Sequence, residues 1–171
     1  KRKISNVVFM GMGEPLLNFK NVIKAIKKIK LKSGLNFSAK KITISTSGIP
    51  KVIKHIAHED LKCNLAVSLH SAIQKTREKI MPFSEKFPIE DLTDSLKYWY
   101  RVTKKKILFE YIIFDGINDN IEHVKALVKM CKIIPCKVNF IEYNPTGDKN
   151  FRQCEVKKLK LYQKYLASEG I

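Results

Sequence analysis

Val7-Val8-Phe9-Met10-Gly11-Met12-Gly13-Glu14-Pro15-Leu16 is the stretch whose reading decides the fold. Four apolar residues in succession, closed by a glycine-rich turn, read as a short buried strand. Strands buried on both faces belong to parallel sheets, and a parallel sheet needs a crossover after each strand. The next segment supplies one. Asn18 is placed to cap a helix through Lys30, with Phe19, Val22, Ile23, Ile26 and Ile29 on one face.

The alternation continues to the end of the chain. Ile42–Thr46 reads as the second strand, followed by a short helix opening on Pro50. Leu65–Leu69 is the third strand, and Ala72–Ile80 and Ile89–Val102 are helices. Ile107–Phe114 is the fourth strand. Asp119 and Glu122 form a D-x-x-E capping pattern for a helix through Lys132, with Ile121, Val124, Leu127, Val128 and Cys131 inward. Val138–Ile141 is the fifth strand, and Val156–Ala167 closes the chain as a helix. No linker, repeat or low-complexity segment interrupts the pattern, so a single domain over residues 1–171 is expected. The fold class is α/β, with five parallel strands joined by right-handed crossover helices. Chemistry in such folds collects at the C-terminal ends of the strands.

The 171 residues suffice for one domain with a core, and a hydrophobic content of 44% is that of a globular chain. No apolar run approaches the roughly 20 residues that span a bilayer. Lys1-Arg2-Lys3-Ile4-Ser5-Asn6 carries no apolar signal-peptide core and no initiator Met, so the chain reads as the middle of a longer, cytoplasmic protein. The net charge of +17 suggests a polyanionic partner, RNA foremost. Against that, Arg2, Arg77, Arg101 and Arg152 are the only arginines and the other 29 basic residues are lysines. RNA-binding faces favour the planar Arg fork, so compositional drift explains the charge equally well. The cysteines, Cys63, Cys131, Cys136 and Cys154, match no familiar metal spacing; Cys63 and Cys136 open apolar runs and read as buried thiols.

Four polar clusters fall at strand ends: Gly13-Glu14 after strand one, Ser45-Thr46-Ser47-Gly48 at strand two, Ser68-Leu69-His70-Ser71 at strand three and Tyr143-Asn144-Pro145 after strand five. Taken singly each has a plain reading. Glu14 is either an acceptor for a ligand ammonium group or a surface residue of a glycine-rich turn, and His70 is either a site residue or a structural hydrogen-bonder. Taken together they put polar groups on one rim, as a polar cofactor requires.

In order and spacing, Phe9-Met10-Gly11-Met12-Gly13-Glu14-Pro15-Leu16, Thr43-Ile44-Ser45-Thr46-Ser47-Gly48, Ser68-Leu69-His70 and Tyr143-Asn144-Pro145 resemble the motifs of the radical S-adenosylmethionine (SAM) RNA adenine C2-methyltransferases, the RlmN-like family. Met81-Pro82, Phe109-Glu110-Tyr111, Gly116-Ile117-Asn118-Asp119 and Pro135-Cys136-Lys137-Val138-Asn139 extend the match from about Asn6 to Ile171. The resemblance implies a partial (β/α) barrel of the radical SAM type, with its first strand missing, and methylation of adenine C2 in 23S rRNA and tRNA. It implies SAM as cofactor, bound by Gly13, Glu14, Ser45, the Ser68-Leu69-His70 segment and Asn144. It also implies a [4Fe–4S] cluster held by a C-x3-C-x2-C loop, a methyl-carrying cysteine in a C-terminal tail, an N-terminal RNA-binding domain, an electron donor for the cluster, and a monomer. The C-x3-C-x2-C loop does not occur in these 171 residues. Cys136 stands where the family has a cysteine that is not the carrier, and Cys63, Cys131 and Cys154 match no catalytic position. No catalytic residue and no metal ligand is therefore expected in this chain, which alone is expected to be inactive. The other reading is a remnant, or a SAM- or RNA-binding module without turnover.

Overall fold

A computed structural model describes residues 4–33, 35–145, 147 and 150–171. Its strands are β1 (Val7–Phe9), β2 (Ile42–Thr46), β3 (Asn64–Ser68), β4 (Ile107–Ile112) and β5 (Cys136–Ile141). Its helices are α1 (Phe19–Lys30), α2 (Pro50–Ile56), α3 (Gln74–Ile80), α4 (Ile89–Thr103), α5 (Ile121–Ile133) and α6 (Val156–Ser168). Every strand pair is parallel, and the order across the sheet is β1-β2-β3-β4-β5. The five-stranded parallel α/β fold expected from the apolar runs is the one observed.

Alternation along the strands divides the sheet into two faces. Ile42, Ile44, Leu65, Val67, Ile107, Phe109 and Tyr111 lie on one of them and enter the core with Val22, Ile23 and Ile26 of α1, Ile53 of α2, Leu92, Leu96 and Trp99 of α4, and Val124 and Leu127 of α5. Fully burying a side chain of this size stabilises the fold by about 1.5–3 kcal/mol. The opposite face carries Ser45, Ala66, Ser68, Leu108, Glu110 and Asn139. Register sets Ser45 beside Ala66, and Ser68, Glu110 and Asn139 side by side across β3, β4 and β5.

Three local expectations are corrected. Asn18 does not cap α1. Residues Pro15–Asn18 form a 3-10 turn, leaving Asn18 at φ −118° and ψ 30°, outside the extended range that a capping side chain needs. Its Oδ1 accepts instead from Asn21 Nδ2 at 2.7 Å. At α5 the cap is Asn120, not Asp119. Asn120 is extended and its Oδ1 accepts from the amides of Glu122 and His123, while Asp119 is taken by Lys158 of α6. Ile121 thereby becomes the first residue of the helix and is 55% exposed rather than inward. Finally, β4 stops at Ile112 instead of Phe114. Asn118, fully buried, accepts from Phe114 N at 2.6 Å and donates to Ile112 O at 2.8 Å, turning the chain out of the sheet.

Candidate functional site

The turn after β1 brings Glu14 to the C-terminal end of β2. Glu14 Oε1 accepts from Leu16 N at 2.8 Å and Thr46 Oγ1 at 2.7 Å; Oε2 accepts from Ser47 N at 2.7 Å and Ser47 Oγ at 2.6 Å. A carboxylate offers about four acceptor positions, and all are used. Thr46 Oγ1 is also the acceptor for Gly48 N at 2.9 Å, so the β2 turn and the Glu14 turn are tied together. Gly13 sits at φ +89°, a backbone that a side chain disfavours, and a Cβ there would meet nothing within 4 Å.

A cleft of about 270 Å³ opens beside this carboxylate, lined by Gly13, Glu14, Ser45 and Ser68, with Phe9, Met10, Met81 and Phe83 as its apolar wall. Four of the seven site residues expected from the sequence thus share one cavity. The other three stand elsewhere. Leu69 is fully buried in the core. His70, at φ +53°, turns toward β4, where its Nδ1 accepts from Ile112 N at 3.1 Å and its carbonyl accepts from Asn118 Nδ2 at 2.6 Å. Burial, and after it the charge of Arg77, hold the His70 imidazole down at about 4, so it is neutral at pH 7 and keeps Nδ1 free as an acceptor. Asn144 is exposed in the loop after β5. The residue before it, Tyr143, is anchored against Phe114 and Phe151 at ring distances of 5.1 and 6.4 Å.

Four further residues, none of them assigned to the site from the sequence, build this region. Thr46 and Ser47 supply three of the four Glu14 contacts. Arg77, fully buried on α3, donates through Nη2 to the carbonyl of Ser47 at 2.5 Å and more distantly to that of Ser68 at 3.4 Å. Asn118 ties His70 to β4. Thr46 and Ser47 fall in the strand-end cluster read from the sequence, of which the resemblance assigned only Ser45 to the ligand. Nothing in the sequence marks Arg77. On the open face of the sheet Glu110, 5% exposed, accepts from Asn139 Nδ2 at 2.7 Å.

The cysteines do not converge. Cys63 is buried at the start of β3, where desolvation pushes its thiol up to about 11. Cys131 is buried as well, but Cys136 is only half-buried. The interaction between the neighbouring Cys131 and Cys136 thiols raises the one and lowers the other. Cys154 lies by Asp119 and Lys158. Among the described residues no three Cys, His, Asp or Glu side chains are grouped so as to hold a metal ion, and no helix is long and apolar enough to cross a membrane.

No protein-family model matches the chain. It is 56% identical over 168 residues to a probable dual-specificity RNA methyltransferase RlmN of Flavobacterium johnsoniae, covering 98% of this chain and 48% of that one. It is 41% identical over 171 residues to the dual-specificity RNA methyltransferase RlmN of Nautilia profundicola, covering 100% and 48%. Among solved structures it superposes on a radical SAM methyltransferase from Sphaerobacter thermophilus with a TM-score of 0.95 at 32% identity, over 99% of this chain and 50% of that one. A domain of the pyruvate-formate lyase-activating enzyme from Bacteroides vulgatus shares the fold at 14% identity, with a TM-score of 0.73. The chain spans about half the length of the curated relatives it matches. By sequence and by fold it is similar, as a segment of that length, to one half of these radical SAM methyltransferase and RlmN relatives.

Proposed function

We propose that residues 1–171 form part of the radical SAM core domain of a cytoplasmic RNA methyltransferase that acts on adenine C2 in 23S rRNA and tRNA, and that the cleft beside Glu14 takes the amino-acid end of SAM. The observation that supports this is an acceptor-only carboxylate held at a cleft that Ser45, Thr46, Ser47 and Ser68 also line. A ligand ammonium group suits that carboxylate, and the thioether and methyl carbons suit the wall of Phe9, Met10, Met81 and Phe83. Gly13 lets the ligand approach the backbone, Leu69 and His70 shape the turn below Ser68, and Asn144 reaches the ligand from the β5 loop.

Bound SAM supplies the methyl group; this chain's residues bind and orient it. The [4Fe–4S] cluster does not fit the side chains described here, since Cys131 and Cys136 engage each other and Cys63 and Cys154 stand apart from them and from the cleft. The cluster, its electron donor and the RNA-binding domain belong to the complete monomeric protein in this reading.

Calorimetric titration of SAM into this chain and into Glu14→Ala is the test. Binding by the first that weakens in the second supports the reading. Equal affinity for both would remove Glu14 from the site.

A further inference from the structure

Among the described residues Arg77 is the one arginine within the core, and its placement is costly. It is fully buried, and the resulting desolvation lowers its guanidinium to about 10. Among the described residues no carboxylate pairs with it, and its Nε and Nη1 have no acceptor. A buried cation with idle donors destabilises a fold relative to an apolar side chain of similar volume. Packing alone therefore does not account for it.

What Arg77 does hold is specific. Nη2 donates to the carbonyls of Ser47 and Ser68, the residues that end or follow β2 and β3 and stand at the cleft. Ser47 is pinned at its carbonyl by Arg77 and presents its amide to Glu14. Gly48, next in the chain, sits at φ +98° with no room for a side chain: a Cβ would fall 2.8 Å from Leu92 Cδ1 and 3.6 Å from Arg77 Nη2. The turn thus closes directly over the guanidinium.

We propose that Arg77 is a positioning residue for the ammonium subsite: it fixes the Ser47-Gly48 turn so that the Ser47 amide holds the Glu14 carboxylate facing the cleft. This rests on the reading that Glu14 receives the SAM ammonium group, and the experiment separates the two. SAM and 5′-methylthioadenosine, which keeps the adenosine and thioether but lacks the amino-acid group, are titrated into wild type, Arg77→Lys and Arg77→Met. In parallel, hydrogen exchange of the Ser47 amide is followed by NMR.

Arg77→Met should weaken SAM about tenfold while 5′-methylthioadenosine stays within about twofold, and Arg77→Lys, which keeps a charge and a donor, should fall between. The Ser47 amide should lose protection in both variants, as it does in Glu14→Ala. Equal losses for the two ligands would mean general loosening and would overturn the proposal, as would an Ser47 amide equally protected in wild type and both variants. If wild type binds no SAM, the SAM reading fails, and Ser47 exchange alone decides the role of Arg77. If Arg77→Met does not fold, Arg77→Lys carries the same comparison.

Discussion

Ser47 gives both of its donors, the backbone amide at 2.7 Å and the hydroxyl at 2.6 Å, to a single oxygen of Glu14. With Leu16 N and Thr46 Oγ1 on the other oxygen, the carboxylate has no position left for a ligand. An incoming ammonium group must displace one donor, and the freely rotating hydroxyl is the one that can leave without moving backbone. Ser47→Ala is therefore expected to bind SAM as tightly as wild type or up to about threefold tighter. Glu14→Ala, which removes a charge-assisted hydrogen bond of about 1.5–3 kcal/mol, is expected to lose about 10- to 150-fold. Calorimetry on the two variants side by side checks both, and a large loss in Ser47→Ala would show that the hydroxyl orients rather than yields.

Asn118 is the joint between the β3 and β4 turns. Its amide donates to His70 O and Ile112 O, and its Oδ1 accepts from Phe114 N, all within a fully buried setting. Asn118→Ala strands these backbone groups at about 1–3 kcal/mol each when left unsatisfied. A net loss of about 3 kcal/mol is expected, seen as a drop in Tm of about 6–12 °C. A drop under about 2 °C in calorimetric melting would mean that the turns hold without it.

Acid should weaken the fold through His70. Its folded value of about 4 lies below the ordinary 6.5, so the unfolded chain binds the extra proton between those two values. The stability that neutral His70 contributes is present above pH 6.5 and is lost as pH falls toward 4, by up to about 3 kcal/mol. His70→Asn keeps an acceptor for Ile112 N and tolerates φ +53°, and should flatten this part of the profile. Burial lowers His123 as well, and Lys158 lowers Asp119, so both contribute to the slope that remains in the variant. Urea unfolding of the two proteins from pH 4 to pH 8 provides the comparison; parallel profiles would exonerate His70.

Thiol reactivity should be ordered. The neighbouring Cys131 thiol and the charge of Lys106 together lower Cys136, while Cys63, Cys131 and Cys154 are all raised. The thiolate is the nucleophile, so iodoacetamide at pH 8 should label Cys136 first. Peptide mass spectrometry over time reads the order, and early labelling of Cys63 would contradict the burial described for it.

Strand positions were legible because runs such as Ile42–Thr46 need only local information, and that strand begins and ends at the residues expected. Helix starts were less so. Asp119 and Asn120 are both good caps, and a lysine 39 residues away on α6 decided between them by engaging Asp119. The cleft divides in the same way. Glu14, Ser45 and Ser68 follow from the rule that chemistry gathers at strand ends, whereas His70 was turned aside by the Asn118 hydrogen bonds, a contact 48 residues apart in the chain. Arg77 looks like one more basic residue in a lysine-rich chain until the fold buries it beneath Ser47.

Strand order equals chain order in this sheet, and that has a consequence for biosynthesis. Among these five strands, each from β2 to β5 finds its earlier neighbour in the sheet already made as it leaves the ribosome. Pairing can advance from β1 to β5 with synthesis, each step closing one crossover, so the nascent chain never has to hold a distant edge open. The Glu14–Ser47 contact can be completed as soon as β2 has docked, before the residues of α3 that steady it have emerged.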